Sequence, residues 1–229
     1  MDEATRGVPL SDERLREFAR ELAAAEAQAA TERPRGFGVP AMLRAAAATI
    51  RHACRVVEAA AARGRSITPA ARWLIENVHV LEEQLTALPE ALPARALRRL
   101  PHVPATVAGR AEPRIYHLMS AYVAQSDGRF DLLRLESFVQ GCHASRTLLM
   151  RELWAVPAML RLALLVEFAR VAGRTAGALA AREQAGVLAG RLLAPATGGS
   201  AASLRVVPPG VAPGPWLLPL LERLRFAGQ

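Results

Sequence analysis

Leu74, Val78, Leu81, Leu85 and Leu88 recur at intervals of four, three, four and three residues, and this spacing is what most restricts the possible fold. Side chains so placed share one face of an α-helix but would be split between the two faces of a strand. Comparable seams occur elsewhere. One runs through Leu43, Ala47, Ile50, Cys54, Val57 and Ala61; others through Ile115, Leu118, Met119, Tyr122 and Val123, and through Leu132, Leu135, Phe138, Val139 and Cys142. The longest joins Leu149, Leu153, Val156, Leu160, Leu164, Phe168 and Val171. Each seam needs a partner surface, so the chain is expected to be an all-α bundle of about six to seven helices.

The punctuation agrees. Thr68-Pro69 places a capping hydroxyl before a proline suited to a first helical turn, Ser11 precedes Asp12 and Glu13, and Asp131 can cap the helix after it. Pro89, Pro93, Pro101 and Pro104 divide the middle of the chain into a connector, and Pro157 should kink the long apolar helix. The expected organisation is a polar helix and linker over 1–38, a helical bundle over 39–194 and a Pro/Gly-rich tail over 195–229. The helices flanking Ser126 to Arg129 are expected to form an antiparallel hairpin.

Of the residues, 52% are apolar but only 5% aromatic, so alanine supplies much of a modest core. The formal charge of +8 would suit nucleic acid or an anionic membrane surface. However, all 29 basic residues are arginine and they are dispersed among acids rather than clustered, which argues against nucleic acid as the partner. Cys54 and Cys142 read as buried small hydrophobes. The acidic start lacks the plan of a secretory signal, so the expected location is cytoplasmic. The most apolar stretch, Leu153 to Ala169, is too short and too interrupted to cross a bilayer.

No constellation points to catalysis, to a cofactor or to a metal. His79 with Glu82 and Glu83 has the spacing of ligands on one helix face, but lacks a second histidine or a remote third ligand; a solvated ion pair explains it. Trp73, Asn77, Val80 and Gln84 form a second stripe beside the leucine seam, read as core packing with a contact surface as the alternative. Glu152 is read as satisfying a helix start and Trp154 as anchoring the core.

Three blocks stand in a characteristic order: Ile67-Thr68-Pro69-Ala70-Ala71-Arg72-Trp73-Leu74-Ile75-Glu76-Asn77 with Glu82-Glu83-Gln84, then Pro113-Arg114-Ile115-Tyr116, then Glu152-Leu153-Trp154-Ala155-Val156-Pro157-Ala158-Met159-Leu160-Arg161. With the turn Asp127-Gly128-Arg129-Phe130-Asp131, residues 40–172 resemble the N-terminal region of bacterial cyclic β-1,2-glucan synthases. Glu76 stands in place of an aspartate, Arg151 in place of a glycine, and Gly141-Cys142-His143 in place of an Ala-Tyr-Gln-like run. The resemblance implies a truncated, split or fragmentary homologue of a family whose other parts are membrane helices, a UDP-glucose-dependent transferase and a phosphorylase-like domain. It marks Trp73, Asn77, Glu82, Arg114, Tyr116, Glu152 and Trp154 as motif or contact candidates. It suggests as partner the remainder of a glucan synthase or another protein at the inner membrane, with the chain peripheral at the cytoplasmic face. The alternative is an arginine-rich helical protein that binds nucleic acid or an anionic membrane surface.

Overall fold

The computed structural model describes residues 10–28, 38–104, 111–126 and 130–193, together with Pro219. The expected break at Thr31 to Phe37, the Asp127-Gly128-Arg129 turn and nearly all of the Pro/Gly-rich tail lie outside the described residues. Among the described residues there are eight helices and two three-residue strands, so the fold is an all-α bundle. The helices are α1 (Asp12–Gln28), α2 (Val39–Ala62), α3 (Pro69–Glu76), α4 (Val78–Ala91), α5 (Ala94–Leu97), α6 (Arg114–Gln125), α7 (Leu132–Ser145) and α8 (Met150–Leu193). Strands β1 (His102–Pro104) and β2 (Ala111–Pro113) pair antiparallel, with Val103 opposite Glu112. This ladder falls in the stretch read from sequence as a connector; three residues per strand are too few to show any alternation.

The chain divides into two compact units, Met1–Ala48 with His79–Arg170, and Thr49–Val78 with Val171–Gln229. In the first unit α7 packs broadly on α1. Leu15 and Ala19 of α1 are fully buried, Phe18 lies 6.5 Å from Phe138 between ring centroids, and the Arg16 Nε donates to the Ser137 hydroxyl at 3.1 Å. The two backbones meet at Gly141, where an added Cβ would stand 2.9 Å from the Arg16 carbonyl oxygen. Helix α6 is buried on nearly all sides: Ile115, Tyr116, Leu118, Met119, Tyr122 and Val123 are all in the core. It meets α7 through Tyr122, whose ring centroid is 5.4 Å from that of Phe138 and whose hydroxyl donates to the Asp131 carbonyl. The Asp131 side chain caps α7 as expected, accepting from the Leu133 and Arg134 N–H groups. Leu135, Phe138 and Cys142 are buried as read, whereas Leu132 faces solvent.

In the second unit, the stripe on α2 is buried at Val57 and Cys54, and Ala60 rather than Ala61 closes it. The last part of α8 lies beside this stretch of α2. Thr49 Cγ2 would be 3.1 Å from a Cβ on Gly173, and the Arg63 guanidinium is 2.6 Å from the Glu183 carboxylate. The buried positions of α8 here are Ala172, Ala176, Ala181, Ala185 and Ala189. Small side chains let helices approach closely while contributing little buried area each.

Two helix boundaries differ from the sequence reading. The segment opened by Thr68 and Pro69 stops at Glu76 instead of running on to Leu88, because Asn77 ends it. Pro89 does not end α4, which continues to Ala91. Helix α8 runs unbroken from Met150 to Leu193 with Pro157 inside it. Its most deeply buried face is displaced from the stripe predicted. Glu152, Met159, Leu162, Leu165 and Ala169 are buried, while Leu149 and Val171 are exposed. From Leu153 to Ala169 the helix is apolar on most sides, so two stripes satisfy the spacing: Leu160 of the predicted stripe is buried and Leu153, Val156, Leu164 and Phe168 are half-buried, while the neighbouring stripe goes deepest.

A buried ion pair joins two motif blocks

Arg114 is the first residue of α6 and Glu152 lies in the first turn of α8. The two are 38 residues apart in sequence, and the fold joins them by two hydrogen bonds: Arg114 Nε donates to Glu152 Oε1 at 2.8 Å and Nη2 donates to Oε2 at 2.5 Å. Side-by-side bonding of this kind matches the planar guanidinium to the carboxylate and is the strongest form of such a pair. It is also dry, with Arg114 3% exposed and Glu152 0% exposed.

Neighbouring main-chain groups complete the node. Nη2 of Arg114 also donates to the Thr147 carbonyl at 3.2 Å, and Glu152 Oε2 accepts the Leu149 N–H at 2.9 Å. The last bond is half of a capping box: a glutamate in the third helical position reaches back to the residue that opens the helix. The Arg114 N–H donates to the Pro101 carbonyl at 2.8 Å, so the β1 approach is tied to the same point. An arginine opening α6 stands unfavourably at the positive end of the helix dipole, and the Glu152 carboxylate offsets it. Glu152 therefore satisfies a helix start, as expected from sequence, and in addition neutralises a buried cation.

The other candidates have different surroundings. Tyr116 is buried two residues beyond Arg114, and burial pushes its phenol above the usual tyrosine range, with the Ser120 hydroxyl opposing. Asn77 terminates α3: its backbone N–H and its Nδ2 both donate to the Trp73 carbonyl, at 3.0 and 2.9 Å. Trp73 and Asn77 are thus joined through the Trp73 carbonyl, while Trp73 as a residue is 48% exposed. Val80 is exposed as well, so this stripe is not core at those two positions. The side chains of His79, Glu82 and Glu83 are exposed on α4. Trp154 is 80% exposed; the reading of it as a core anchor is overturned, because Met150, Trp154, Pro157 and Arg161 lie along the outward face of α8.

Nearby, His102 Nδ1 lies 2.7 Å from the Leu100 carbonyl, and burial pushes its imidazole below the usual value of 6.5, the bond to Leu100 opposing. His117 Nδ1 is 2.9 Å from the Glu112 carboxylate. Sequence reasoning did not single out the Thr147 and Pro101 carbonyls, since a main-chain acceptor leaves no mark in the residue type. Among the described residues no group of three or more His, Cys, Asp or Glu side chains is placed to hold a metal ion. No described helix is long and apolar enough to cross a membrane.

No family model matches the chain. The chain is 36% identical over 142 residues, 61% of its length, to the cyclic beta-(1,2)-glucan synthase NdvB of Rhizobium meliloti (strain 1021). The matched region is 5% of that protein, so the chain is homologous to a small part of a much longer relative.

Proposed function

We propose that the chain is a non-catalytic helical module of a β-1,2-glucan synthase system, corresponding to the part of the synthase it resembles and acting by contact with the remainder of such a synthase or with another protein at the inner membrane. The observation that carries this reading is the Arg114–Glu152 pair. Arg114 of the second motif block and Glu152, the one carboxylate of the third, are spent on each other, at a point where two helix starts and a strand approach converge. A carboxylate held by a guanidinium and a backbone N–H, without exposure to solvent, is a poor acid or base toward a sugar. Its motif status is explained by the architecture it holds together. The reading places the protein at the cytoplasmic face of the inner membrane.

The test is a chimera. The matched region of NdvB is replaced by residues 40–172 of this chain, and cyclic glucan is measured in membranes supplied with UDP-glucose. Restoration of product relative to the deleted synthase is expected, together with no release of UDP by the purified chain alone. UDP-glucose turnover by the purified chain would overturn the non-catalytic reading, and a chimera as inactive as the deletion would overturn the correspondence.

A further inference from the structure

The beginning of α8 forms an apolar corner flanked in sequence by exposed Arg151 and Arg161. Trp154 is 80% exposed, Met150 63% and Leu149 39%, and Met150 and Trp154 are one helical turn apart on a face that continues to Pro157 and Arg161. From His143 to Leu165 the ionisable residues are His143, Arg146, Arg151, Arg161 and one acid, Glu152. That acid is turned inward and consumed by Arg114, so no carboxylate of this stretch reaches the surface. Glu112, close in sequence to Arg114, is mostly buried and paired with His117.

We propose that this corner docks on the surface of an anionic lipid bilayer, with Trp154, Met150 and Leu149 entering the headgroup layer and Arg151 and Arg161 facing lipid phosphates. Tryptophan beside arginine suits the membrane interface, where the ring is half solvated and the guanidinium reaches negative headgroups. A second copy of the chain fits less well. Three side chains offer a few hundred Å² at most, against roughly 800 Å² per partner in a stable interface, and the arginines of the two copies would repel. A second apolar tip at Phe130, Leu132 and Leu133 lacks this character, since Asp131 stands within it. The proposal stands apart from the synthase reading, because the corner is defined by exposure and charge alone.

The experiment is vesicle co-sedimentation of the full chain, with phosphatidylcholine alone or mixed with phosphatidylglycerol. In parallel, Trp154 emission is followed in a Trp73→Phe/Trp216→Phe variant. Binding to the anionic vesicles with a blue shift of Trp154 is expected. Trp154→Ala should weaken binding by about tenfold, and Arg151→Gln and Arg161→Gln by about fivefold each. Leu132→Ser/Leu133→Ser should bind as the unmodified chain does, and unchanged circular dichroism verifies that each variant is folded. Equal binding to phosphatidylcholine alone, full binding by Trp154→Ala, equal weakening by the Leu132/Leu133 variant, or a blue shift that follows protein concentration without vesicles would each overturn the proposal.

Discussion

Replacing Glu152 by alanine strands a guanidinium. Arg114 would keep the Thr147 carbonyl but lose both bonds to the carboxylate in a place water does not reach. Breaking one side of a buried pair costs about 3–5 kcal/mol, and the freed Leu149 N–H adds about 1 kcal/mol as a lost cap. For urea unfolding followed by circular dichroism, a slope of about 2 kcal/mol/M converts this into a midpoint about 2–3 M lower. Glu152→Gln should lose less, since its amide oxygen still accepts the Leu149 N–H. The double variant Arg114→Met/Glu152→Leu is the decisive comparison. Apolar replacement of both partners removes the stranded charge, so the double variant should unfold at a higher urea concentration than either single one. Should Glu152→Ala cost under about 1 kcal/mol, or the double variant lose the sum of the two singles, the carboxylate is not the buried, paired group described here.

Gly141→Ala should destabilise by about 1–3 kcal/mol in spite of better helix propensity, because the added methyl meets the Arg16 carbonyl. Gly177→Ala on α8, with open space around the new Cβ, should stabilise by roughly 0.5–1 kcal/mol; thermal unfolding of the two variants compares them directly. The lowered His102 value means that the unfolded chain takes up a proton the folded one resists, so the contribution of His102 to stability should be constant above its unfolded value of 6.5 and fall below it. Urea midpoints across that range should show a shallower decline in His102→Gln. Asp131→Ala, removing the acceptor of two N–H groups at the start of α7, should cost about 1 kcal/mol by the same measurement.

Local features of the fold were legible in the sequence and long-range ones were not. Thr68 with Pro69, Asp131 and the seam of α6 were readable because caps and three-and-four spacing act within a turn or two of the chain. The partnership of α1 with α7 was not, since Gly141 gives no hint in sequence of which backbone approaches it. Arg114 and Glu152 were singled out by the motif blocks, but nothing in their neighbours says that they meet across 38 residues. A clue did exist: each is a charged residue in the first turn of a helix that carries an apolar seam, a position that requires a counter-charge when the turn is buried. Trp154 was misplaced because a large aromatic was assumed to face inward. Arg161 on the same face was the contrary sign.

The nesting of α1 against α7 bears on how the protein can be shortened for study. A version that starts at the proline and glycine break near residue 38 would discard a helix whose Ala19 and Phe18 fill a trench floored by Gly141 and walled by Phe138. The remaining trench would be greasy, open to water and shaped to receive the helix just removed. Such a truncated protein should recover its solubility when a peptide spanning residues 10–28 is added back.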